Sequence, residues 1–176
     1  MTRRAAGLLV TLSVCAAAQD AAPSLRAEFL ANYDDTTKKI ISLAEAIPAE
    51  KYGWRPAEGV RSVSEVFVHI AGANFMIPSA IGVKPPAGLS RDAEKTVTEK
   101  AKVVEMLKQS VQHARGAIEN ALEGDPNKPT KVFGRQSTYA GAALLMISHL
   151  HEHLGQSIAY ARSAGVAPPW SRGRGE

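Results

Sequence analysis

Apolar residues recur at intervals of three and four along four separate stretches of this chain, the period of a helix with one buried face. The first stretch places Phe29, Tyr33, Thr36, Ile40, Leu43 and Ile47 on one side. It predicts a helix from Leu25 to Ile47, stopped by Pro48, which has no backbone N–H to continue the ladder. A second helix opens after Ser62, whose hydroxyl can cap it while Glu65 reaches back in a capping box. It continues through Phe67, Ile70 and Asn74 to Pro78 or just past it. Thr96 and Glu99 repeat that capping pattern ahead of Ala101, Val104, Leu107, Val111, Ala114, Ile118 and Leu122, and Gly124-Asp125-Pro126 ends this third helix. The fourth starts near Ser137 or Thr138 and runs to Ala164, with Gly165 where a left-handed C-cap sits and Pro168-Pro169 beyond.

No connecting stretch alternates apolar and polar residues long enough to read as a half-buried strand, so the expected class is all-α, a four-helix bundle. The connection between the second and third helices is about 14 residues, and at roughly 3.3 Å per residue it can span about 45 Å. That exceeds the roughly 27 Å length of an 18-residue helix. These two helices are therefore free to run in the same direction.

Composition narrows the picture further. With 176 residues, 45% hydrophobic and 22% charged, the chain has material for one ordinary core. Residues 1–18 read as a signal peptide: Arg3 and Arg4, an apolar run from Leu8 to Ala18, and small residues Ala16-Ala17-Ala18 at the cleavage point. Export to the periplasm or medium, cleavage near Ala18 and a bundle domain over 19–176 are the expectations. The apolar run is shorter than the roughly 20 residues of a transmembrane helix, so no stable membrane insertion is expected after cleavage. Cys15 follows Val14, whereas a lipid-attached cysteine would follow Gly, Ala or Ser. Because Cys15 is the only cysteine, the mature chain would have no disulfide, thiolate ligand or thiol nucleophile.

Removing Arg3 and Arg4 from the 21 basic residues leaves 19 against 17 acidic ones, and the only basic cluster is Arg172 with Arg174. Neither that balance nor so short a cluster, with no aromatic interleaving, fits nucleic-acid binding.

The fourth helix carries the candidate chemistry. Ala142, Met146, His149, His153, Gln156 and Tyr160 form one stripe, beside a second of Ala143, Ile147, Leu150, Leu154, Ile158 and Ala161. Ser148, His151, Glu152, Gly155 and Arg162 occupy the remaining, solvent-facing arc. His149 and His153, four residues apart, lie one above the other and can share an ion. A metal site needs a third protein ligand, and His69, midway along the second helix on the flank of Val66, Ile70 and Ala73, is the candidate. His113 lies off the apolar stripe of the third helix and is expected to be exposed. Spacing alone leaves a second reading open, in which these are core histidines satisfied by separate acceptors. Two adjacent buried imidazoles without a shared ion would, however, be costly if charged. His149-Leu150-His151-Glu152-His153 also fits the H-x-x-E-H pattern of inverted zinc peptidases. Glu152 falls on the solvent arc, and no acidic residue follows before Glu176, so that reading is set aside.

The chain resembles the DinB-like family of four-helix bundles. The resemblance rests on Ile47-Pro48-Ala49-Glu50-Lys51-Tyr52-Gly53-Trp54-Arg55-Pro56, on Ser62-Val63-Ser64-Glu65 with Val68-His69-Ile70-Ala71, and on His149-x-x-x-His153-Leu154-Gly155-Gln156 followed by Gly165-Val166-Ala167-Pro168-Pro169. Leu154 stands where the family usually has Arg. The resemblance implies an up-down-down-up bundle, a triad of His69, His149 and His153 on one divalent ion such as nickel or zinc, and a homodimer. It also implies, for some members, transfer or isomerisation with small thiols.

Two functions follow. In one, the ion activates a thiol or water for a small-molecule substrate, with Gln156 and Tyr160 beyond His153 as supporting or substrate contacts. In the other, the protein is non-catalytic and the ion is structural, or the bundle serves interaction; the lack of a carboxylate on the histidine stripe of the fourth helix favours it. Trp54 and Trp170, each near a helix end, are expected to clamp loops.

Overall fold

The computed structural model describes residues 22–171. The leader read at 1–18, with Cys15, and the basic pair Arg172 and Arg174 lie outside the described residues.

Four long helices carry the core: α1 (Leu25–Ala46), α2 (Val63–Met76), α4 (Lys100–Glu123) and α5 (Tyr139–Ser163), with a single-turn helix α3 (Ala93–Thr96) in the long connection. Their ends follow from local chemistry. Ser24 accepts from the Ala27 N–H to open α1, and Ser62 with Glu65 forms the predicted capping box at α2. Thr138 accepts from the Gly141 N–H to open α5. Gly165, at φ 75°, takes the left-handed conformation that follows the last helix.

The directions of the helices are read from their contacts. Arg26 near the start of α1 pairs with Glu119 near the end of α4, and Lys100 at the start of α4 donates to the carbonyls of Glu45 and Ile47, so these two are antiparallel. Phe29 shares a shallow recess with Ala143 and Ile147, and Thr36 meets His151 further along, so α1 and α5 run the same way. Val63 and Val66 at the start of α2 lie against Ser157 and Tyr160 near the end of α5. The bundle is up-down-down-up, with α2 and α4 parallel, as the long second connection permits. Tyr33, Ile40, Leu43, Ile70, Leu107, Ile118, Met146 and Leu150 fill its centre with no exposed surface. Each contributes about 1.5–3 kcal/mol by leaving water.

The structure departs from the sequence reading at several points. The stretch before α5 forms a two-stranded hairpin, β1 (Pro129–Val132) and β2 (Arg135–Thr138), paired from Pro129↔Thr138 to Val132↔Arg135. Strands of four residues are too short to show an alternation. The predicted cap of the third helix is also absent. Thr96 ends α3 and turns its hydroxyl back to the Asp92 carbonyl, while the Glu99 carboxylate is taken by Lys102. The buried face of α4 is accordingly Val103, Leu107, Ser110, Ala114, Ala117, Ile118 and Leu122, with Ala101 exposed. Ser110 joins this face because it accepts from Asn74 and donates to the Leu107 carbonyl. No helix among the described residues is long and apolar enough to cross a membrane.

Candidate metal centre

The antiparallel pair α2 and α5 brings His69 opposite His149 and His153. The three rings form one group, with centroids 5.1 Å apart for His69–His149, 4.7 Å for His69–His153 and 4.4 Å for His149–His153. One potential ligand atom from each lies within 4.8 Å of the others, and the group can hold a metal ion. The Nε2 atoms of His69 and His149 are 3.2 Å apart. Two nitrogens on one tetrahedral ion at about 2.1 Å would be separated by about 3.4 Å, so this spacing fits a shared ion with little adjustment.

Hydrogen bonds orient two of the three rings. His69 donates from Nδ1 to Oε1 of Glu94 at 2.7 Å, which leaves its Nε2 lone pair facing His149. His153 Nδ1 donates to Oε1 of Gln156 at 2.8 Å, and Gln156 is held in turn by donation from Nε2 to the Tyr160 hydroxyl at 3.2 Å. Tyr160 is braced edge-on by Trp54, with ring centroids 5.4 Å apart. A metal-ligating histidine ordinarily has such a partner on its other nitrogen.

Electrostatics keep the imidazoles available as ligands. Burial, followed by the neighbouring His153, His69 and Arg61, pushes His149 down to about 4. His153, only 7% exposed, is also lowered, chiefly by burial, against which its bond to Gln156 acts. Both are neutral near neutral pH, the form in which imidazole binds metal. Burial works to raise Glu94, but hydrogen bonds from Arg61 and His69 outweigh it, and the carboxyl is lowered and ionised. Arg61 holds the second oxygen of Glu94 at 2.8 Å.

The structure therefore brings together all three histidines expected from the sequence. Gln156 and Tyr160 bond to each other, and Gln156 also reaches His153. His151 is exposed, as expected, and is bonded to Asn32 and Thr36 of α1. Glu152 is exposed too. His113 corrects its expectation: it is half-buried, with its ring against Phe75 at 5.5 Å. The residue that sequence reading missed is Glu94. It sits in a polar connection with no periodic pattern, and only the single turn of α3 aims it at His69.

His69, His149 and Glu94 open onto a cleft of about 680 Å³, whose other walls include Met76, Leu89, Met106 and Leu145.

Residues 32–157 match the family model of the DinB superfamily. No curated protein matches the chain in sequence. Among solved structures, a DinB-like protein from Bacillus cereus is 21% identical with a TM-score of 0.70, the match covering 80% of this chain and 93% of that one. A DinB-like protein from Bacillus subtilis is 20% identical with a TM-score of 0.62, over 78% and 92% of the two chains. A conserved protein from Enterococcus faecalis is 14% identical with a TM-score of 0.60, over 80% and 97%. At these identities the likeness is one of fold. The family match, by contrast, runs from α1 into α5 and contains all three histidines, and on it the chain belongs to the DinB superfamily.

Proposed function

We propose that this protein is an exported, metal-dependent enzyme acting on a small molecule, a transferase or hydrolase that activates a thiol or water. His69, His149 and His153 would hold one divalent ion, nickel or zinc. The observation that carries this reading is the position of the three-His group: two of its members form the wall of an apolar cleft large enough for a substrate. A purely structural ion would have no need of that opening. Bound there, a divalent cation supplies Lewis acidity that makes a water or thiol a usable nucleophile near neutral pH. The chain's own residues do the positioning: Glu94 turns His69, Gln156 turns His153, and the apolar walls displace water from the reacting end.

A second reading, in which the protein is non-catalytic and the ion ties α2 to α5, is favoured by one observation. Glu94 is the only carboxylate lining the cleft among the described residues, and it is already engaged by Arg61 and His69. Among the described residues, no unengaged carboxylate faces the cleft. Elemental analysis of the purified protein, followed by His153→Ala, separates the readings. A catalytic ion is expected to be lost with turnover of ester, amide or thiol substrates and little change in melting temperature. A structural one is lost with a large drop in melting temperature and no turnover at any stage.

Export rests on Arg3, Arg4 and the Leu8–Ala18 run. Amino-terminal sequencing of protein recovered outside the cytoplasm is expected to begin just after Ala18. The homodimer is carried over from the family, and light scattering in solution is expected to give twice the mass of the mature chain. A monomer mass removes it.

A further inference from the structure

The cleft beside the histidines has features that metal binding does not require. Its volume of about 680 Å³ is walled mainly by Met76, Ile77, Leu89, Met106, Leu145 and Phe133. Sites for small organic ligands fall in this range, with mostly apolar walls and a few placed polar groups.

Phe133 is the most unusual of these. It is 78% exposed, at the tip of the β1–β2 hairpin, and its φ is 48° with Gly134 at 78°. Positive φ at both central residues marks a type I′ hairpin turn, a conformation that suits Asn, Asp or Gly. A bulky aromatic there costs about 1–2 kcal/mol. The chain therefore tolerates strain to hold an aromatic ring in solvent at the edge of the cleft. The hairpin is fixed to the rest of the bundle, since the Thr130 hydroxyl donates to the Ala80 carbonyl just beyond α2. Met76, 51% exposed, leaves further apolar surface uncovered on the same wall.

Charge supplies the second, independent observation. Arg91 lines the cleft, is exposed, and makes no hydrogen bond or ion pair with any described residue. Glu94, the only acid in the lining among the described residues, is engaged by Arg61 and His69. An unanswered cation thus faces an apolar pocket.

We infer that the cleft binds an amphipathic organic acid, with its apolar body covered by Phe133 and its carboxylate or sulfonate answered by Arg91. Placing the other end of the ligand at the histidines rests on the functional reading above; the binding itself does not.

The test uses the purified full chain, its metal content measured beforehand. Fluorescence titration compares 8-anilinonaphthalene-1-sulfonate with its uncharged analogue N-phenyl-1-naphthylamine, and decanoate is compared with decanol as displacer. Phe133→Asn suits the positive φ, so the melting temperature is expected to hold or rise while affinity for both dyes falls about ten-fold. Arg91→Gln is expected to weaken the sulfonate dye and decanoate about three-fold and to leave the uncharged pair unchanged. The inference is overturned if the parent binds neither dye, or if both variants bind like the parent. A parent that carries metal but binds no dye sinks this inference alone. A chain that never carries metal, yet shows the Phe133 and Arg91 effects, sinks the metal reading alone.

Discussion

Glu94 Oε1 lies 2.7 Å from Nδ1 of His69, so a carboxylate from the one-turn helix α3 sets the ring orientation of a histidine on α2. Arg61 holds the other oxygen of Glu94 at 2.8 Å, so the carboxylate is itself fixed. A ligand aligned in this way presents its free lone pair without first having to find the right rotamer and tautomer.

Glu94→Ala is therefore expected to weaken metal binding about 10- to 100-fold, the usual cost of losing such a partner. Glu94→Gln, which keeps an oxygen able to accept from Nδ1, should lose less. Competition against a chelator of known affinity measures both. Equal affinities in parent and Glu94→Ala would remove Glu94 from any role at the site.

On the other side of the group, Tyr160→Phe deletes only the hydroxyl that accepts from Gln156 Nε2. Gln156 then keeps only its bond to His153 Nδ1 and holds that ring less firmly. Metal affinity is expected to fall a few-fold, on the order of the 0.5–1.5 kcal/mol net worth of one hydrogen bond. The ring contact with Trp54 stays, so its fluorescence should be little changed.

The histidines are expected to separate cleanly by position. His153→Ala removes a buried member of the group, and elemental analysis should find the protein without its ion. His151→Ala, two residues away on the exposed arc, loses only its bonds to Asn32 and Thr36 and should retain full metal content. Loss of metal from both variants alike would show that the helix face, and not the ligand set, was disturbed.

Acid is expected to loosen the start of α2 through Glu65. Its side chain is 6% exposed and accepts from Lys95 Nζ and the Ser62 N–H. The bond from Lys95, then that from Ser62, holds the carboxyl down at about 2, below an ordinary value of 4.5. The unfolded chain therefore takes up a proton first as pH falls. Stability from this group is fully present above pH 4.5 and is lost as pH drops toward 2. Urea midpoints between pH 6 and 3 should fall for the parent and fall less for Glu65→Gln. Parallel curves would assign the acid sensitivity to other carboxylates.

Much of the bundle was legible in the sequence because its causes are local. The capping box of Ser62 and Glu65, the stop at Pro48 and the left-handed cap at Gly165 each involve residues within one turn of one another. The i, i+4 pair His149 and His153 is legible for the same reason, since helix geometry alone stacks the two rings. Thr96 misled because its hydroxyl had two local partners to choose from, and it bonded back to Asp92. His113 misled because an apolar stripe does not report a neighbour such as Phe75 arriving from another helix.

The sequence by itself determined the four long helices, most of their ends, and which face of the last one carries two imidazoles. Only the tertiary structure decided that His69 meets that pair, that Glu94 and Gln156 orient the rings, and that Phe133 and Arg91 overlook a common cleft. Helix periodicity and capping act over three or four residues, and so leave a trace in the order of residues along the chain. Contacts such as His69 with His149, 80 positions apart, depend on how helices pack and where a connection folds back, and no short-range pattern records that.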